Sequence, residues 1–343
     1  MKPILIALFL ILITAGCKNK SSQESTELTV VTYGGGSYHQ SHLDAFVEPY
    51  KKLTGLKLNS IVWGAEYGKL KAIVDGGRVD WDVVEVTDAQ FKRGKRENMF
   101  EELTQFPDTA GFIPGTIDSF GVANVYWTTV LAYNKNVFPN NPPRNWVDFW
   151  NVKDFPGKRG MYDDPRGNLE FALLADGVKK ENLYPIDVER AFRKLDQIKP
   201  YVKVWWKDGA QPVQLLNDNS VDLTSAWNGR IFSLGASNTK IAFSWEGAVS
   251  ELDWWVIPRG SGNKMTASRF ICFASEPDKM AKQAEMIGYG PVNRNALKYI
   301  ADSIRGQLST HPTNWMSSFV INSDWWAENE NEMMKKWLEW KSK

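Results

Sequence analysis

The chain has 343 residues, and at roughly 150 residues per domain that length suggests two domains. Forty-one Lys and Arg stand against 40 Asp and Glu, a formal net charge of +1, which runs against a general nucleic-acid binder with its basic excess. Two Cys and three His argue against a disulfide framework and a His/Cys zinc cluster, while 16 Trp, 17 Phe and 11 Tyr exceed what a core needs. Rings lining a pocket would account for the surplus.

Met1-Lys2 supplies a positive charge, and Ile4–Ala15 is an uninterrupted run of twelve apolar or small residues. That is shorter than the ~20 residues of a membrane-spanning helix and has the length of a signal-peptide core. Thr14-Ala15-Gly16-Cys17 follows, and small residues directly before a cysteine resemble the bacterial lipobox, with Thr14 where Leu is usual. The resemblance implies a lipoprotein signal peptide over residues 1–16 and a lipid on Cys17. Residues 17–27 are polar after the cysteine and read as a tether of roughly 17 Å. No later stretch approaches eighteen apolar residues, so the chain is expected to meet a membrane through its lipid alone.

Leu28–Tyr33 reads as a strand that runs into Gly34-Gly35-Gly36-Ser37. Leu43, Phe46, Val47 and Tyr50 give Ser41–Leu53 the spacing of an amphipathic helix. Leu56–Trp63 alternates as a strand, Tyr67–Val74 is a short helix, and Trp81–Val86 is a strand ending at Thr87-Asp88. This β-α-β-α-β order implies a parallel sheet covered by helices, with ligands beyond the carboxyl ends of the strands. Val122–Asn134 is a long β-rich run, and the prolines after it suggest a crossing into a second lobe. There the pattern repeats. Strands are expected near Gly160–Tyr162, Val202–Trp206, Val221–Trp227, Ile241–Trp245 and Asp253–Pro258. Helices are expected at Leu169–Leu174, Asp187–Gln197, Pro212–Asn217, after Asn228-Gly229-Arg230, and at Pro277–Met286. Arg269–Ala274 reads as a strand holding Cys272 as a buried structural thiol. Trp326, Met333, Trp337 and Trp340 form one helical stripe, a docking surface.

Several motifs recur in a telling order: Tyr133-Asn134-Lys135, Asn145-Trp146-Val147-Asp148-Phe149-Trp150, Phe155-Pro156-Gly157-Lys158 and Asp163-Asp164 before a helix. Trp227-Asn228-Gly229, Asp253 ahead of Ile257-Pro258, and Ile287-Gly288-Tyr289 complete the series. In this order the chain resembles a periplasmic solute-binding protein of an ABC importer, in the polyamine-binding branch of the type II bilobal family. The resemblance implies two α/β lobes, each a mostly parallel sheet covered by helices, joined by hinge crossings. Lobe 1 would be 28–132 plus 254–305, and lobe 2 would be 133–253 plus 306–343.

By the same resemblance Trp227 and Asp253 fall on cleft positions. The chemistry agrees, because a carboxylate beside the apolar Trp254-Trp255 is costly to ionise unless a ligand ammonium pairs with it. Trp227 can add a cation–π face of about 0.5–2 kcal/mol. Arg230 would repel the second ammonium of a diamine, and its fork of donors fits a carboxylate. Together they would select a zwitterion such as an ω-amino acid or small betaine. Glu251 shares the face of Asp253 and is a second cation-binding candidate. The loop from Tyr33 through Ser37 to Tyr38 would offer backbone N–H groups to a ligand, and Trp63, Thr87, Asp88, Trp206 and Gln211 lie at strand ends or on the crossing segment. Asp163 and Asp164 fit either an amine contact or an N-cap. His39, His42 and His311 are too scattered for a metal, and no cofactor or catalytic residue is implied.

The expected function is therefore capture of a polyamine or zwitterionic ω-amino acid such as γ-aminobutyrate, and its delivery to a permease by a monomeric protein tethered outside the bacterial cytoplasm. A sugar-binding protein of the same fold is the alternative. An exported carboxylate-based hydrolase is less well supported, because no Gly-x-Ser-x-Gly, His-Glu-x-x-His or Cys/His pair occurs.

Overall fold

A computed structural model describes residues 26–343; the expected signal peptide and Cys17 lie outside the described residues. The first lobe is built on parallel strands β1 (Glu27–Tyr33), β2 (Lys57–Trp63) and β3 (Val83–Thr87), in the order β2-β1-β3. Between β1 and β2 runs helix α1 (Gly36–His42), which continues through a wide turn at Leu43–Val47 into α2 (Glu48–Thr54). Gly55 stops it in the left-handed conformation, at φ 72°. Helices α3 (Tyr67–Asp75) and α4 (Asp88–Arg96) follow β2 and β3, and Thr87 caps α4 in a reciprocal pair with Gln90.

After the two-residue strand β4 (Ile117–Asp118), β5 (Gly121–Asn134) leaves the first lobe and enters the second. Strands β6 (Arg159–Tyr162), β7 (Val202–Trp206) and β8 (Leu223–Trp227) stand there in the parallel order β8-β6-β7. Helices α5 (Trp146–Trp150), α6 (Asn168–Ala175), α7 (Val188–Ile198), α8 (Gln211–Asn217) and α9 (Asn228–Phe232) cover them. The chain returns on β9 (Ile241–Val256), which pairs antiparallel with β5 and β3.

Two expectations change here. The separate strands at Ile241–Trp245 and Asp253–Pro258 are one 16-residue strand. The residues between them were too polar to read as strand, yet pairing with β5 satisfies their backbone across both lobes. Arg269–Ala274 is not a strand but the end of α10 (Lys264–Ala274), because Ala267, Phe270, Ile271 and Ala274 bury one helical face. Helix α11 (Pro277–Ile287) follows.

The cores divide with the lobes. Trp146, Phe149, Phe171 and Leu195 fill the second, and the helix Ser323–Lys341 docks Trp326, Met333, Trp337 and Trp340 into it. Leu70, Val84, Phe100 and Trp254 fill one face of the first sheet; Phe46, Val83, Trp255 and Phe270 fill the other. Along β5 the side chains pass from first-lobe core at Tyr126 to second-lobe core at Leu131, and along β9 they pass back between Val249 and Leu252.

Candidate functional site

The carboxyl ends of both parallel sheets face one cavity of about 150 Å³, where an open α/β sheet places its ligands. Tyr33 and Gly34 end β1, Trp63 ends β2, Thr87 ends β3, Tyr162 ends β6 and Trp227 ends β8. Trp127 on β5, Asp253 on β9, Arg166 before α6, Lys207 to Gly209 before α8, Arg230 on α9, and Tyr38 and Tyr289 complete the wall. The rings brace one another. Tyr33 and Trp63 stack with centroids 5.9 Å apart, and Trp227 meets Trp127, Tyr162 and Trp206 edge-on at 5.6, 5.8 and 5.5 Å.

Polar groups around this cavity are buried without partners. Among the described residues, Oδ1 of Asp253, Nε of Arg230, Nη1 of Arg166 and the indole nitrogens of Trp63 and Trp127 have no partner in good hydrogen-bond geometry, although the Trp127 indole is near enough to the Asp253 carboxyl to favour its ionised form. Each such group costs about 1–3 kcal/mol, more if charged, so five at one cavity signal a polar guest. Asp253 is only 2% exposed. Burial, and then the nearby charge of Glu85, pushes its carboxyl well above the usual carboxylate range. Glu85 lies behind the wall, accepting from the Tyr38 hydroxyl at 2.6 Å and from Asn124 at 3.1 Å, with His42 Nε2 3.3 Å away. The Tyr33 backbone N–H also donates to it, at 3.3 Å. Burial and these carboxylates push the Tyr33 and Tyr38 hydroxyls far up, so both rings stay neutral.

Of the ten binding candidates read from the sequence, Tyr33, Trp63, Trp227, Arg230 and Asp253 line the cavity, as does Thr87. Arg230 donates through Nη1 and Nη2 to the carbonyls of Gly35 and Gly34, at 2.9 and 3.0 Å. The glycine loop therefore turns carbonyls, not N–H groups, toward this arginine. Five candidates sit elsewhere. Ser37 pairs with Ser233 at 3.0 Å. Asp88 accepts from Trp254 Nε1 at 2.8 Å and pairs with Lys92. Trp206 stacks behind Tyr162 at 4.5 Å. Gln211 accepts from the backbone N–H groups of Lys207 and Asp208 and so shapes the loop that does line the cavity. Glu251 does not face the cavity; its Oε2 is 3.4 Å from Nε of Arg166. Trp254 and Trp255 are core residues rather than walls. Asp163 accepts from Trp337 and Lys341, Asp164 accepts from the Arg166 backbone N–H, and His39 meets Thr32.

The sequence reading missed Trp127, Tyr162, Arg166 and Tyr289. Tyr162 and Arg166 follow the carboxyl end of β6, and the strand-end rule that flagged Trp63 and Thr87 would have found them. Trp127 lies in a strand buried on both faces, where no alternation marks the residue that faces the cavity.

Two α/β lobes, joined by paired crossing strands and closing on a ring-walled cavity with both a carboxylate and guanidinium groups, define a two-lobed solute-binding protein of type II architecture. A family model for bacterial extracellular solute-binding proteins matches residues 45–330, and the chain belongs to that family. It is 38% identical over 324 residues to the gamma-aminobutyric acid-binding protein of Pseudomonas aeruginosa, covering 92% of this chain and 91% of that one. It is 25% identical over 293 residues to the spermidine/putrescine-binding periplasmic protein of Escherichia coli, covering 81% and 82%. The crystal structure of an ABC transporter substrate-binding protein from Bradyrhizobium japonicum superposes with a TM-score of 0.86 at 34% identity, covering 92% of this chain and 99% of that one.

Proposed function

We propose that the protein captures a short zwitterionic ω-amino acid, γ-aminobutyrate or a near homologue, and hands it to an ABC permease while its Cys17 lipid holds it at the outer face of a membrane. The carrying observation is that one small cavity contains both an unpartnered carboxylate oxygen, on Asp253, and unpartnered guanidinium nitrogens, on Arg166 and Arg230. An ammonium supplies the first with a charge-assisted hydrogen bond, and a carboxylate supplies the second. Trp63, Trp127, Trp227 and the tyrosines offer π faces to the cation, each worth about 0.5–2 kcal/mol when desolvated.

Size and charge both favour this guest over the alternatives. A cavity of about 150 Å³ is of the order that admits a benzene-sized molecule, which suits an amino acid with a three-carbon chain and excludes spermidine or a pyranose without rearrangement. Arg166, Lys207 and Arg230 outnumber Asp208 and Asp253 on the wall, which opposes a dication. The similarity to a gamma-aminobutyric acid-binding protein at 38% identity agrees. On this reading the lobes, with boundaries at the β5 and β9 crossings, rotate about those strands to admit and enclose the guest.

Titration calorimetry with γ-aminobutyrate, putrescine, spermidine and glucose tests the reading. A dissociation constant near micromolar, or about −8.2 kcal/mol, is expected for γ-aminobutyrate, with weaker binding of the others. Preference for putrescine or spermidine would refute it.

A further inference from the structure

Glu251 has no place in the capture just described, yet it is a buried carboxylate, 5% exposed, set against one of the guanidinium groups that line the cavity. It stands on β9 where that strand crosses between lobes, and its register partner on β5 is the wall residue Trp127. Arg166 thus presents Nε to Glu251, at 3.4 Å, while its unpartnered Nη1 is left for the cavity.

We infer that Glu251 is an internal carboxylate that shares Arg166 with the carboxylate of the guest, so that capture of a zwitterion draws a proton onto Glu251. The inference rests on the ω-amino acid reading and adds a proton to it. Two carboxylates on one buried guanidinium repel each other in a medium where neither is well hydrated. The repulsion is relieved when one of them is neutral, and the guest's carboxylate is the weaker base in water, so the proton goes to Glu251.

The surroundings of Glu251 carry the same sign. Arg166 is the cation set against it. Asp164 from the turn before α6, its own carboxyl pushed by burial up to about 6, Glu170 from α6, likewise raised by burial, and Glu330 from the C-terminal helix all oppose its ionisation, and Asp253 is two residues along the same strand. Burial, only partly offset by Arg166, pushes the Glu251 carboxyl up to about 7, so a further anion beside Arg166 raises it within the range where the protein works. The guest's ammonium, paired with Asp253, acts the opposite way on Asp253 itself. Comparison of wild type with Glu251→Gln cancels that contribution.

The test is calorimetric titration of wild type and Glu251→Gln with γ-aminobutyrate at pH 6, 7 and 8, each in two buffers of different ionisation enthalpy, with n-butylamine as a guest lacking the carboxylate. At pH 6 Glu251 is already largely protonated and the two proteins should bind γ-aminobutyrate alike. As pH rises, linkage allows wild type to lose at most tenfold per pH unit relative to the variant, so Glu251→Gln should bind several-fold more tightly at pH 8. Wild type should also take up an additional fraction of a proton per guest bound. A gain of affinity cannot come from misfolding. With n-butylamine the two proteins should run parallel. Parallel pH dependences with γ-aminobutyrate, a divergence that persists with n-butylamine, or a uniform loss in Glu251→Gln at every pH would each overturn the inference. A wild-type protein that ignores γ-aminobutyrate overturns the reading beneath it as well.

Discussion

Replacing Asp253 by Asn separates binding from folding at the residue on which the cavity's chemistry turns. Asp253 is 2% exposed, and its Oδ1 has no partner among the described residues. In the ligand-free protein that oxygen is a liability of about 1–3 kcal/mol, and an isosteric amide replaces the carboxyl, removing its power to ionise against a guest ammonium without opening a cavity. The unfolding temperature of Asp253→Asn should therefore be equal to or above that of wild type, by about 1–2 °C for each kcal/mol recovered in a chain of this length. Binding should move the other way. Removing one member of a buried, hydrogen-bonded charge pair costs about 2–5 kcal/mol, which is about 30- to 5,000-fold in Kd. Differential scanning fluorimetry of the free protein and calorimetric titration with γ-aminobutyrate measure the two effects on one preparation. A variant that melts several degrees lower yet keeps its Kd within threefold would show that Asp253 serves the fold, and the reasoning would fail.

Arg230→Ala should weaken γ-aminobutyrate about 10- to 150-fold, the equivalent of about 1.5–3 kcal/mol for a hydrogen bond to a charged group, and n-butylamine much less; equal losses for both guests in parallel titrations would assign Arg230 to lobe contact alone. A Cβ on Gly209 would lie 2.3 Å from the Trp227 ring, so Gly209→Ala should displace that indole and cost at least tenfold in affinity, with a matching change in tryptophan fluorescence on binding. The ligand-free protein should lose stability as pH rises. The Glu251 carboxyl moves from an ordinary 4.5 to about 7 on folding, so its contribution is fully present below 4.5 and disappears as pH passes through 7. The span corresponds to about 3 kcal/mol. The fall in urea midpoint from pH 5 to pH 8 should be smaller in Glu251→Gln than in wild type, the remainder coming from Asp253, Asp164 and Glu170, whose carboxyls burial also raises.

What could be read from the sequence followed local periodicity. Leu43, Phe46, Val47 and Tyr50 announced a helix by their spacing, and Leu28–Tyr33 announced a strand by its β-branched run, both of whose faces are buried. The polar middle of β9 carried no such signal. Glu251 is buried beside β5 and against Arg166 from the turn before α6, and Ser250 between Thr128 of β5 and Ser318, which only the assembled lobes provide. The same limit governed the cavity. Asp253 and Trp227 drew attention as chemically unusual residues at strand ends. Arg166 followed two aspartates that looked like a helix cap, and Asp164 does accept from the Arg166 backbone. The side chain of that same residue takes the opposite direction, into the cavity. Glu251 was assigned a direct role from its alternation with Asp253, and the alternation is real. A guanidinium from another element stands between it and the guest.

Across the cavity Arg230 donates to the carbonyls of Gly34 and Gly35 and Ser233 to Ser37, while Lys92, Arg93 and Arg96 of α4 meet Asp324, Asn331 and Glu328 of the C-terminal helix. Hydrogen bonds of this kind contribute about 0.5–1.5 kcal/mol each, up to about 3 when one partner is charged. Against them stand the unpartnered oxygen of Asp253 and the unpartnered nitrogens of Arg166, Arg230, Trp63 and Trp127, at about 1–3 kcal/mol each. A guest that supplies the missing partners favours the arrangement in which these groups are buried, and each 1.4 kcal/mol that it supplies shifts the ratio of that arrangement to an open one tenfold. A zwitterion supplies partners to Asp253 and to the guanidinium groups at once and adds no net charge to the buried space. A monoamine supplies only the first, and a simple carboxylic acid only the second. On the proposed reading, selectivity resides in the closing step: a guest that satisfies one end alone leaves the other end's desolvation uncompensated, and the lobes have no net reason to stay shut on it.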